Sequence, residues 1–102
     1  MNIHETLRKI RAGGIPVAYM RFREKQKPPF IIYLGNGQTQ LPADNTYYWA
    51  ENDYQIEYYF AKKDEEKERL IEELLLQDGF MFEKSADTFI ESEDLNVIYY
   101  QI

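Results

Sequence analysis

Apolar residues recur at Ile3, Leu7 and Ile10, spaced i, i+4 and i+7, while Glu5, Arg8, Lys9 and Arg11 fall on the other sides. That period predicts a short amphipathic helix over residues 2–12. Asn2 stands where an N-cap belongs, with Glu5 three positions on, and Gly13-Gly14 stops the helix. From Ile15 to Arg23 the period drops to two, with Val17 and Tyr19 on one face and Ala18, Met20 and Phe22 on the other. Pro16 sits at the start of this strand, where a missing N–H does least harm. Past Met20 the alternation turns basic: Arg21, Arg23, Lys25 and Lys27 occupy every second position. A strand continuing through them would point all four the same way. Pro28-Pro29 then ends it.

Phe30-Ile-Ile-Tyr-Leu34 is apolar at every position, the pattern of a strand covered on both faces. Gly35-Asn36-Gly37 turns or bulges the chain, and a loop is expected about residues 41–45, with strong turn chemistry at Asp44-Asn45. Residues 46–50 and 53–61 read as one long interrupted strand or two short ones. In the second piece Tyr54, Ile56, Tyr58 and Phe60 share a face opposite Gln55, Glu57 and Tyr59. Residues 64–78 form a second helix. Asp64 caps it, Glu65 and Glu66 fill its first turn, Leu70, Ile71, Leu74 and Leu75 make its apolar stripe, and Gly79 ends it. Two closing strands follow, one from Phe80-Met-Phe82 with Thr88-Phe-Ile90, the other from Leu95 to Ile102. The order α-β-β-β-α-β-β predicts an α+β fold, a mostly antiparallel sheet of about five strands with two helices packed on it.

At 102 residues the chain has room for a single domain, 1–102, whose one core buries roughly 60–70% of the unfolded surface. Aromatic residues make up 16% of it, which argues against disorder despite 29% charged residues. With no Cys, a disulfide framework, a thiolate zinc site and a Cys nucleophile are all excluded. The longest apolar runs, 30–34 and 74–76, are far too short to cross a bilayer, and no apolar signal segment opens the chain, so no membrane partner is expected. A net charge of −6 argues against general nucleic-acid binding. That total hides a split. Residues 1–27 hold seven basic residues against two acids, a balance of +5, and residues 28–102 carry −11. The asymmetry becomes a charge dipole only if the fold keeps the two parts apart.

The inventory for catalysis is thin. His4 is the one imidazole, near the start of the chain, and reads as a solvated side chain. Ser85 and Ser92 have no His near them in sequence and no G-x-S-x-G around them, so a Ser–His–Asp arrangement would have to recruit His4. Glu91, Glu93 and Asp94 crowd one acidic turn without the spacing of a calcium loop, and a solvated turn explains them. Glu65, Glu66, Glu68, Glu72 and Glu73 are assigned to the exposed side of the second helix. Gly35-Asn36-Gly37 lacks the lysine and the following helix of a phosphate cradle. No catalytic residue, metal ligand or cofactor site is therefore expected, and the chain reads as a non-enzyme.

Surfaces carry more. Tyr47-Tyr48-Trp49, Tyr58-Tyr59-Phe60 and Tyr99-Tyr100 are neighbours, and strand neighbours point to opposite faces. One layer of helices covers one face of a sheet, so the other face is expected to show tyrosines, as interfaces between proteins do. A small domain filling its core with tyrosines is the plainer explanation. Arg21, Arg23, Lys25 and Lys27 read as a solvated edge strand guarded by charge, as a contact to an acidic partner or second copy, or as a nucleic-acid contact. The candidate interface residues are Arg21, Arg23, Lys25, Lys27, Tyr47, Tyr48, Trp49 and Tyr59.

Several of these segments together resemble those of a known family. Ile15-Pro-Val-Ala-Tyr19 follows a short helix, Pro28-Pro-Phe-Ile-Ile-Tyr-Leu34 comes next, and Ala43-Asp44-Asn45 leads into an aromatic strand. Tyr54-Gln-Ile-Glu-Tyr58 precedes the acidic helix, and the chain closes with Phe82-Glu-Lys-Ser85 and Ile90-Glu-Ser-Glu93. In this order the sequence resembles the small tail-completion, or tail-terminator, proteins of long-tailed phages and prophages of Gram-positive bacteria. The likeness spans nearly the whole chain and contains no catalytic signature. It implies an α+β protomer assembling as a homo-oligomeric ring, usually a hexamer, that caps the tail tube and joins it to the neck. Tail-tube and neck proteins would be its partners, DNA would only pass through the lumen, and it would occupy the host cytoplasm during assembly and then the virion tail. Two alternatives stay open: another head–tail connector such as a head-closure subunit, and a small monomeric protein-binding module.

Overall fold

The computed structural model describes the backbone of residues 2–43 and 47–102, and their side chains except those of residues 39–51. Helix α1 spans Ile3–Ala12, and the Asn2 side chain accepts a 2.9 Å hydrogen bond from the His4 N–H, as the capping pattern predicts. Gly14 leaves the helix with a φ of 106°, a left-handed conformation that favours glycine. Strand β1 then runs only from Val17 to Tyr19. Met20 adopts a φ of 65°, and the Arg21 N–H turns back to the Tyr19 carbonyl at 2.7 Å. The strand therefore stops before the basic positions, and the edge-strand reading of Arg21, Arg23, Lys25 and Lys27 is corrected: they stand on an irregular loop.

Strand β2, Phe30–Ala43, and strand β3, Tyr47–Phe60, form a hairpin of two 14-residue strands. A bulge between Gly35 and Gln38, with Gly37 at a φ of 85°, is the irregularity that the Gly-Asn-Gly sequence forecasts. The loop expected about residues 41–45 does not include its first three, because Leu41, Pro42 and Ala43 pair with Trp49, Tyr48 and Tyr47. The Asp44-Asn45 turn lies outside the described residues. Helix α2 covers Glu65–Gln77, with the Asp64 carboxylate accepting from the Glu66 and Lys67 N–H groups. Three strands close the fold: β4 (Glu83–Lys84), β5 (Thr88–Ile90) and β6 (Leu95–Gln101). Residues 80–82, expected in a strand, precede β4 instead.

The sheet runs β1-β2-β3-β6-β4, with β5 also on β6. β4 and β5 pair with opposite ends of the same strand, so they share one position and the sheet is five strands wide. Only β1 with β2 is parallel; the other pairings are antiparallel. The chain is thus α+β, a mostly antiparallel sheet with two helices, as the pattern predicts.

One face of the sheet holds the core. Ile31, Ile56, Tyr58, Phe60, Ile98 and Tyr100 pack there with Ile3, Leu7 and Ile10 of α1 and with Ile71 and Leu75 of α2. Both helices therefore lie on the same side. Each of these side chains is nearly or fully buried, and burial of an aliphatic or aromatic side chain stabilises by roughly 1.5–3 kcal/mol. The β2–β3 hairpin outruns the rest. β1 pairs no further than Tyr33, and the chain through β6 no further than Tyr54, which exchanges two backbone hydrogen bonds with Ile102. Beyond those points, among the described residues, 38–43 and 47–52 pair with each other alone. The molecule measures 50 × 27 × 27 Å, with a radius of gyration of 14.9 Å against about 13 Å for a compact chain of 100 residues. No helix among the described residues is long and apolar enough to cross a membrane.

Candidate functional site

The face opposite the helices is set by the strand alternation. It carries Phe30, Ile32 and Leu34 from β2, Gln55, Glu57 and Tyr59 from β3, and Val97, Tyr99 and Gln101 from β6. At one end it is apolar: the Phe30 and Tyr59 rings stack at 5.1 Å, and Phe22 meets Phe30 edge-on at 5.4 Å. Towards the middle it is polar. Tyr59 donates to Glu57 at 2.8 Å, Gln55 donates to the other Glu57 oxygen at 2.9 Å, and Gln101 donates to Gln55 at 3.2 Å. Burial, the bond to Glu57 and its charge all push the Tyr59 hydroxyl above its ordinary value. A shallow depression of about 480 Å³ adjoins this ladder, lined by Gln55, Glu57, Glu83, Lys84, Ser85, Tyr99 and Gln101. Tyr59 is thus brought to the helix-free face as the alternation requires, half-buried and hydrogen-bonded. Tyr47, Tyr48 and Trp49 lie in the backbone of β3, and their side chains fall outside the described residues.

The basic loop is anchored to this same face. Phe22 is half-buried against Phe30, while Arg21, Arg23, Lys25 and Lys27 are all exposed. The sequence pattern finds the four cations and misses the anchor. Phe22 reads there as one more strand residue, and only its ring contact shows the loop folding over the sheet.

Other titratable groups occupy the helix side. His4 is exposed yet engaged: its Nδ1 lies 3.0 Å from the Tyr33 hydroxyl, and its ring meets Tyr33 and Tyr54 edge-on. Ser85 Oγ donates to the Ala86 carbonyl and accepts from the Tyr99 N–H, so His4 and Ser85 form no pair. The assignment of Glu68 to the exposed helix side is corrected. It is 3% exposed, with Lys84 3.0 Å from one oxygen. Lys63 stands 2.8 Å from the other, close enough for charge pairing though not aligned as a hydrogen bond. Glu72 is half-buried beside it, accepting from the Tyr100 hydroxyl at 2.7 Å and pairing with Lys84 at 2.8 Å. The signal was present, since Glu68, Ile71 and Leu75 share the i, i+3, i+7 stripe that faces the core. This network fastens α2 to β4 and holds no group in contact with His4. No cluster of three or more His, Cys, Asp or Glu suited to a metal ion occurs among the described residues.

Among the described residues the arrangement offers surfaces and tethers. A scan against protein-family models finds none that matches the chain, and a search of curated proteins returns no match.

Proposed function

We propose that the chain is a structural virion component, a tail-terminator or tail-completion protein that forms a ring at the head-proximal end of a phage tail tube and joins it to the neck. The observation that carries this reading is the β2–β3 ribbon, whose residues 38–43 and 47–52, among the described residues, pair with each other beyond the ends of β1 and β6. A two-stranded ribbon is marginal alone in water and gains from neighbours along its edges. The helix-free face, where Phe22, Tyr59 and Tyr99 are half-buried, supports the same reading, since tyrosine and phenylalanine are enriched where proteins meet. The order of segments resembling the tail-completion family supplies the identity of the assembly. In this role the chain is no enzyme. Its partners are copies of itself, tail-tube protein and neck protein, DNA passes through the lumen, and its place is the host cytoplasm and then the virion.

The test is electron microscopy of tail tubes with and without the purified protein. A ring of density at one tube end, with tube growth halted there, is the expected result. Tubes that bind no protein and keep growing would overturn the reading.

A further inference from the structure

The two lateral edges of the sheet are unlike each other and complementary. At the β1 edge Tyr19 and Met20 are 53% and 57% exposed, and the loop that follows holds Arg21, Arg23, Lys25 and Lys27 against the single acid Glu24. At the β5 edge Phe89 is 58% exposed, and the turn into β6 holds Glu91, Glu93 and Asp94 with no cation. The edges lie four strand spacings apart, about 19 Å. They also meet the same end of the sheet. The loop returns from the level of Tyr33 to that of Phe30, and Phe30 is in register through Tyr59 and Val97 with Thr88 of β5. At these two edges the fold keeps positive and negative charge apart, whereas Lys9 of the same basic segment pairs with Asp78 at 2.9 Å.

We infer that the chain binds a second copy of itself head-to-tail, the 20–27 loop of one copy seating on the β5–β6 corner of the next. This rests on the self-assembly proposed above and names the surfaces that perform it. Charge complementarity chooses the occupant. The acids of α2 are interspersed with Lys67 and Arg69, whereas residues 91–94 hold three acids and no cation. Each edge also adds an exposed apolar group, Met20 on one side and Phe89 on the other, to be removed from water on contact. Contact is through side chains, because the Val17 and Tyr19 carbonyls already accept from Arg11 and from the Arg21 N–H. Two different patches on one chain give a heterologous contact, which leaves a free edge at each end until rotation closes a ring.

The experiment is a charge exchange on the full chain, read as mass against concentration. One variant is Arg21→Glu/Arg23→Glu and the other Glu91→Lys/Glu93→Lys, all four positions being exposed, with thermal melting confirming that both fold. Each alone is expected to assemble about tenfold or more weakly than the wild type, since like charges now face each other. An equal mixture is expected to recover, because the reversed loop of one meets the reversed turn of the other. Variants that assemble as the wild type does, or a mixture that stays dissociated, would overturn these surfaces while leaving self-assembly standing. A wild type that never associates would instead overturn the self-assembly on which they rest.

Discussion

Tyr58 is fully buried among aromatic and aliphatic neighbours, stacked on Phe60 at 5.4 Å, and its hydroxyl has no hydrogen-bond partner. Burial, aided by the charges of Asp64 and Glu68, pushes that hydroxyl from 10.0 up to about 12. Burial and the bond to Glu72 raise Tyr100 as well. The folded protein therefore keeps these phenols protonated at a pH where an unfolded chain has lost the protons. Their contribution is intact below pH 10 and falls as pH rises from 10 towards 12, by roughly 2–3 kcal/mol for Tyr58 alone. Denaturant titrations at pH 8 and at successive steps above pH 10 check this on wild type and Tyr58→Phe. The variant loses an unpartnered hydroxyl, so it is expected to match or exceed the wild type at pH 8 and to pull ahead as pH rises. Stability curves that stay parallel would show that the hydroxyl ionises freely. Alternation alone places Tyr58 on the buried face; the missing partner depends on which groups α2 and the 61–64 segment bring overhead, which no local pattern contains.

At the scale of elements, α2 is held at its start, along its middle and just past its end, where Asp78 pairs with Lys9 of α1 at 2.9 Å. Asp64 caps it, Ile71 and Leu75 bury its stripe, and Glu68 ties it to Lys84 of β4 and to Lys63. Glu68→Gln removes the shared negative charge and leaves two lysines that are 44% and 35% exposed and can reach water. The expected loss is therefore about 2–3 kcal/mol in thermal or chemical unfolding, at the low end for a buried ion pair. An unchanged melting temperature would show that the lysines contribute nothing to docking α2. How legible each element was follows from what decides it. α1, α2 and the Tyr54–Phe60 stretch have strong periods and capping residues, and they fold where those place them. β1 is cut short by the turn at Met20, which the alternation through Phe22 conceals. The length of the β2–β3 ribbon is decided by pairing between its own strands, so Leu41, Pro42 and Ala43 read locally as a loop and are a ladder in the fold. The candidate site divides in the same way: the four exposed cations and Tyr59 are read from spacing, whereas Phe22, Phe30 and the opposed sheet edges emerge only from topology.

For the whole molecule, the net charge of −6 describes an object with two unlike sides. A loop with four cations and a turn with three acids sit at opposite edges of one sheet, and a two-stranded ribbon runs past the ends of the strands beside it. Such an object has unsatisfied surfaces that a further copy can meet, and salt should weaken that meeting because the charges are exposed. Sedimentation equilibrium of the 102-residue chain over a wide concentration range at low salt tests this most directly. The expected result is a mass that climbs to several times 12.3 kDa and falls back when salt is added. A mass that stays at 12.3 kDa at every concentration would contradict self-assembly and favour a monomeric binding module.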